Sequence, residues 1–144
     1  VDHFYDDNTP IVMGNVTIHT RLSAGHTPGC TSFFVEMPDE KGGKLVWGMH
    51  GGVGVNTMNT DYLNQVHLPL SLQDSFLKGC EDMKSIHVDI CTPSHPSHSD
   101  MLSRVPEDRN DYTPFIGPNK WPAFLDERAD SLRKVIAAGA YKTL

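Results

Sequence analysis

Apolar and polar residues alternate from Val16 to Leu22, with Val16, Ile18, Thr20 and Leu22 on one side and Thr17, His19 and Arg21 on the other. A period of two predicts a half-buried strand. Met13-Gly14-Asn15 before it predicts a turn. Residues 23–29, Ser-Ala-Gly-His-Thr-Pro-Gly, break helix and strand alike and predict a loop between two strands. Residues 30–37 are rich in β-formers and predict the second strand, and Pro38-Asp39-Glu40-Lys41-Gly42-Gly43 turns the chain back. Residues 44–50 are almost continuously apolar, which predicts a strand buried on both faces. The period then changes: Leu72, Phe76, Leu77, Cys80 and Met83 recur at helical spacing and predict a helix over 71–83 with Ser71 as its N-cap. Residues 58–61 show no convincing helix start. Residues 86–91 predict a short strand, and 118–138 the longest helix, with Trp121, Phe124, Leu125, Leu132, Val135 and Ile136 on one side. Strands come first, then helix, strand, loop and helix, which is an α/β (α+β) arrangement with two main helices and a mostly antiparallel or mixed sheet.

Composition narrows the class. The chain has 144 residues, enough for one domain with a core and too few for two ordinary ones. With 38% apolar and 21% charged residues it does not read as disordered or as a coiled coil. The net charge of −6, with no run of either sign, argues against a nucleic-acid partner. No apolar stretch approaches the roughly 18 residues of a membrane span, so no membrane partner is expected. The first residues, from Val1 onward, have no leader character and are expected to lie inside a longer or processed protein. Cys30, Cys80 and Cys91 are odd in number, widely spaced and without a CxxC, so they are expected to be buried thiols.

Eight histidines are the compositional anomaly and direct attention to metal. No GxSxG elbow is present to suggest a serine nucleophile. His26 and His95 each sit in a Pro-containing loop directly after a predicted strand, where side chains converge at a sheet edge and are held with little freedom. A neutral imidazole in such a loop suits Zn²⁺, and the bland alternative is a loop histidine bonded to backbone. Gly51-Gly52-Val53-Gly54-Val55-Asn56 invites a phosphate-loop reading, but Thr57 stands where the dinucleotide fingerprint needs glycine, so a loop beside a site is preferred.

Gly25-His26-Thr27-Pro28-Gly29-Cys30-Thr31-Ser32, after an alternating strand, resembles the G-H-T-x-G-C/S-T segment of the metallo-β-lactamase superfamily, and most closely that of the third subclass of metallo-β-lactamases. The resemblance continues in order through the apolar strand, the small-residue loop 51–56, a helix, Val88-Asp89-Ile90-Cys91, Ser94-His95, Thr113-Pro114-Phe115-Ile116 and the last helix, covering roughly residues 11 to 137. It implies an αββα sandwich, zinc as cofactor with two ions in the intact protein, and hydrolysis of a small-molecule substrate, a β-lactam above all, by metal-bound hydroxide attacking a carbonyl carbon. Related lactone, thioester and phosphoester hydrolases share the ligands. His26 would belong to the first zinc site and His95 to the second. Thr27 would orient the His26 loop through its hydroxyl, and Gly52 would stand where the subclass carries a small residue. His50 would be a ligand or its supporter, or else a packed or backbone-bonded histidine, and Asn56 would line the pocket; by spacing, His98, three residues after His95, would reach the same metal or stand as a solvent-exposed loop residue. His3, His19, His67 and His87 are expected to be structural or surface residues.

The family's H-x-H-x-D-H motif does not occur in these 144 residues. The resemblance is therefore to the C-terminal half of the sandwich only, with the catalytic residues and remaining ligands elsewhere. An isolated half is expected to be inactive, at most a weak metal binder, and to cover its bare sheet face with the N-terminal half of the same protein or with a second copy of itself. A periplasmic or secreted location is what the resemblance favours.

Overall fold

The computed structural model describes residues 1–139. Five strands form one sheet in the order β1 (Ile11–Met13), β2 (Val16–Leu22), β3 (Thr31–Pro38), β4 (Lys44–His50) and β5 (Ile90–Pro93). The first four pair antiparallel and β5 joins β4 in parallel. A parallel neighbour requires a crossover. Here the crossover carries α1 (Thr60–Gln65) and α2 (Ser71–Met83), and α3 (Lys120–Ala138) follows β5.

The alternation in the strands decides which residues meet the helices. Phe34 lies between His19 and Gly48 in the register, and its ring meets Trp121 of α3 edge-on at 5.4 Å. Phe34, Phe76, Cys80, Val88, Trp121, Phe124, Leu125 and Leu132 make one core between the sheet and the two long helices. Trp121 is wholly buried and donates its indole N–H to the Met83 carbonyl at 2.9 Å, tying α3 to the end of α2. Asp89 locks the parallel pair: its backbone N–H donates to Val46 O at 2.8 Å, and its carboxylate accepts from Val46 N at 2.8 Å.

Several sequence expectations shift. The strand expected over 86–91 begins only at Ile90, because Ile86 N donates to Met83 O in a turn after the helix and residues 87–89 form an irregular connection that carries the Asp89 clamp. Ser71 is the first helical residue rather than the cap, since the turn starts one residue earlier, with Leu72 N bonded to Pro69 O. The unexpected α1 starts where the Asn59 side chain accepts from Tyr62 N at 2.8 Å, a polar cap that needs no apolar stripe. The last helix begins at Lys120, and Ile136, expected on its apolar side, is exposed. Cys30 lies just before β3 and is buried, as are Cys80 and Cys91, all three as free thiols.

β4 is not buried on both faces. Val46, Gly48 and His50 face the helices, whereas Ile18, Val35, Trp47 and Ile90 lie on the opposite face and remain half-exposed. Thr20 and Leu45, also on that second face, are buried, and the two long helices pack on the other face. This two-sidedness sets the expected effect of substitutions. Trp121→Ala should lower stability by about 3–5 kcal/mol, since a buried aromatic leaves a cavity and strands the Met83 carbonyl. Trp47→Ala, on the open face, should cost no more than about half of that; urea denaturation of the two variants checks the ranking.

Candidate metal centre

The sheet topology places the chemistry. Because β2 and β4 both run antiparallel to β3, and β5 runs parallel to β4, the C-terminal ends of β2, β4 and β5 reach the same sheet edge. The loops leaving those ends carry His26, the glycine-rich segment 51–56, and His95 with His98. Together they line a cavity of about 550 Å³, bounded by His26, residues 51–56, Ser94, His95 and His98.

The His26 loop is closed at its neck by Ser23 N donating to Cys30 O at 2.7 Å and by the Ser32 hydroxyl donating to that of Ser23 at 2.8 Å. His26 Nδ1 lies 2.7 Å from the Gly54 carbonyl. A carbonyl only accepts, so Nδ1 carries the proton and Nε2 keeps its lone pair. The Thr57 hydroxyl sits 2.8 Å from the same nitrogen and donates to the His26 carbonyl at 2.9 Å, fixing ring and backbone together. Glycine is required opposite this ring: a Cβ on Gly52 would come within 2.7 Å of Cys30 Sγ and 3.1 Å of His26, and one on Gly54 within 3.1 Å of His26 Cε1.

On the third loop, the Ser97 hydroxyl lies 2.9 Å from His95 Nδ1. The His95 and His98 rings are 5.2 Å apart, centroid to centroid. His98 Nδ1 is buried without a hydrogen-bond partner among the described residues. Burial first, then the Arg128 guanidinium and the neighbouring His95 and His26 rings, hold His98 below the usual imidazole range.

The remaining sequence candidates fall in different places. Asn56 is exposed at the cavity rim, and Gly52 lies in its wall. The Thr27 hydroxyl lies 3.2 Å from Cys30 Sγ within the His26 loop, while the hydroxyl that touches the His26 ring is that of Thr57. Thr57 was legible only as the residue that spoils a glycine fingerprint, because 31 residues separate it from His26. His50 does not reach the cavity. It is wholly buried against Phe76, and its Nδ1 accepts the Gly52 N–H at 3.2 Å, so it braces the glycine loop from behind. His19 and His87 pair with the carboxylates of Glu36 and Asp89 away from the cavity.

Imidazole donors are thus available at one edge. A catalytic zinc needs about three protein ligands and an open position. Among the described residues, no group of three or more His, Cys, Asp or Glu is arranged to hold an ion. The described residues by themselves do not complete a metal centre.

Burial lowers the pKa of His50 to about 4. The unfolded chain takes up this proton near pH 6.5 and the folded chain does not, so stability is fully present above about pH 6.5 and falls as the pH drops toward 4. The slope should be on the order of 1 kcal/mol per pH unit. Urea denaturation between pH 7 and 4.5 should show it, and His50→Gln should flatten it.

No family model matches this sequence, and no curated protein matches it. Solved structures do. The chain superposes on the subclass B3 metallo-β-lactamase BJP-1 of Bradyrhizobium japonicum with a TM-score of 0.78 and 20% identity, over 96% of this chain and 51% of that one. A Cronobacter sakazakii metallo-β-lactamase with a HARLDQ motif matches with a TM-score of 0.74 and 19% identity, over 92% of this chain and 51% of that one. The metallo-β-lactamase GOB-18 of Elizabethkingia meningoseptica matches with a TM-score of 0.73 and 24% identity, over 95% and 50%. At these identities the likeness is one of fold, and the chain spans about half the length of each structure. One sheet with its helices on a single face, meeting these structures over half their length, gives the chain the fold of half a metallo-β-lactamase.

Proposed function

We propose that the chain is the C-terminal half of a zinc-dependent hydrolase of the metallo-β-lactamase fold, acting on a β-lactam, with His26 contributing to one zinc site and His95 to the other. The observation that carries this reading is the single cavity at the ends of β2, β4 and β5, where both imidazoles meet a wall of glycine. The names of the fold neighbours support the substrate class. Zinc held there supplies Lewis acidity and lowers the pKa of a water.

The chain's own residues do the positioning. Gly54 O and Thr57 keep His26 Nε2 free to ligate, Gly52 and Gly54 keep the wall flat where a substrate passes, and His50 holds the Gly52 backbone. Partners of a metal-ligating histidine typically change metal affinity by roughly 10 to 100-fold when removed. The missing donors come from the complementary N-terminal half. Its place is the half-exposed sheet face of Ile18, Val35, Trp47 and Ile90, because the neighbours with the same sheet are about twice as long.

Nitrocefin hydrolysis with parallel zinc analysis tests the reading. The 144-residue chain alone is expected to show no turnover, and the same chain joined to its complementary half is expected to hydrolyse nitrocefin and lose activity on chelation. Turnover by the chain alone contradicts the half-site argument, and an inactive, zinc-free complete protein contradicts the hydrolase. In the complete protein Thr57→Val should weaken zinc binding by roughly 10 to 100-fold, measured by competition with a chelating dye.

A further inference from the structure

The loop after β5 holds two histidines rather than one, and their arrangement is specific. His98 N donates to His95 O at 3.0 Å, closing a tight turn of the 3₁₀ type over Pro96–His98. In such a turn residues three apart lie one above the other, which brings the two rings together. Their centroids are 5.2 Å apart with the planes tilted by 43°. Two imidazoles on one tetrahedral ion, each bound at about 2.0–2.1 Å, place their centroids roughly 3.2 Å from the ion and hence roughly 5 Å from each other. The observed separation is compatible with a shared ion.

The nitrogens are disposed to match. The Ser97 hydroxyl lies 2.9 Å from His95 Nδ1, and where it accepts from that nitrogen His95 Nε2 keeps its lone pair for ligation. His98 Nδ1 is buried and has no hydrogen-bond partner among the described residues. A buried imidazole nitrogen without a partner carries a desolvation cost. A metal ion accepting its lone pair would remove that cost. Both rings border the same cavity as His26.

We propose that His95 and His98 form a two-imidazole clamp for one divalent transition-metal ion, so that the metal bound by this loop takes two nitrogens from this chain instead of one. The inference rests on the metal-centre reading above and adds a ligand to it. Two donors from a single turn bind more tightly than either alone, because the second is already in place when the first engages.

Zn²⁺ binding to the full chain, followed by competition with a chelating dye and by the absorption bands of Co²⁺ in its place, tests the clamp. The full chain should bind Zn²⁺ saturably, and His95→Phe and His98→Phe should each weaken binding by at least 10-fold, with Co²⁺ bands altered in both. His98→Gln, which retains a polar group, should behave like His98→Phe, and circular dichroism establishes that the variants stay folded. Should His98→Phe and His98→Gln bind like the unaltered chain while His95→Phe loses the ion, His95 ligates alone: the clamp is overturned and the proposed function stands. Loss of nothing in any variant overturns both the clamp and the assignment of His95. Failure of the unaltered chain to bind Zn²⁺ at millimolar concentration overturns the clamp and leaves the centre to be assembled only with the complementary half.

Discussion

The parallel pairing of β5 with β4 is the constraint on which the rest of this structure depends. It is held by both backbone and carboxylate bonds between Asp89 and Val46, and by the Trp47 indole N–H donating to Thr92 Oγ1 at 2.7 Å. Were β5 antiparallel, the His95 loop would emerge at the opposite edge from His26. With it parallel, three loops that are distant in sequence converge, and the crossover it demands supplies α2, which shares one core with Phe34 and with Trp121 of α3. Position and packing thus come from one topological choice.

The same choice leaves the sheet with unequal faces. Helices cover the side of Val46, Gly48 and His50, and the side of Val35, Trp47 and Ile90 is left half-exposed. An apolar face of this kind favours association in water. Under the proposed function, one complementary half would supply both the further metal donors and a cover for the second sheet face.

Much of the framework was legible in the sequence because it is periodic. The strands 16–22 and 44–50 and the helix 71–83 coincide with their hydrophobic patterns. α1 was not legible, since it is started by the Asn59 cap and has only one fully buried apolar residue, Leu63. The placement of His26, His95, His98 and Gly52 around one cavity followed from loops that break regular structure directly after strands. The roles of Thr57 and His50 were not legible, because no local pattern encodes a hydrogen bond across 31 residues, as from Thr57 to His26, or the depth of the His50 side chain at a strand end.

The central claim is that one sheet edge of this chain presents His26 and His95 to metal. Long-range ¹H–¹⁵N correlation spectra of the histidine side chains during Zn²⁺ titration measure it directly. The account predicts a His26 ring protonated at Nδ1 before zinc is added, joint perturbation of His26 and His95 as it is added, and unmoved signals from His19, His50 and His87. A His26 ring protonated at Nε2, or zinc shifts confined to the histidines outside the cavity, would contradict it.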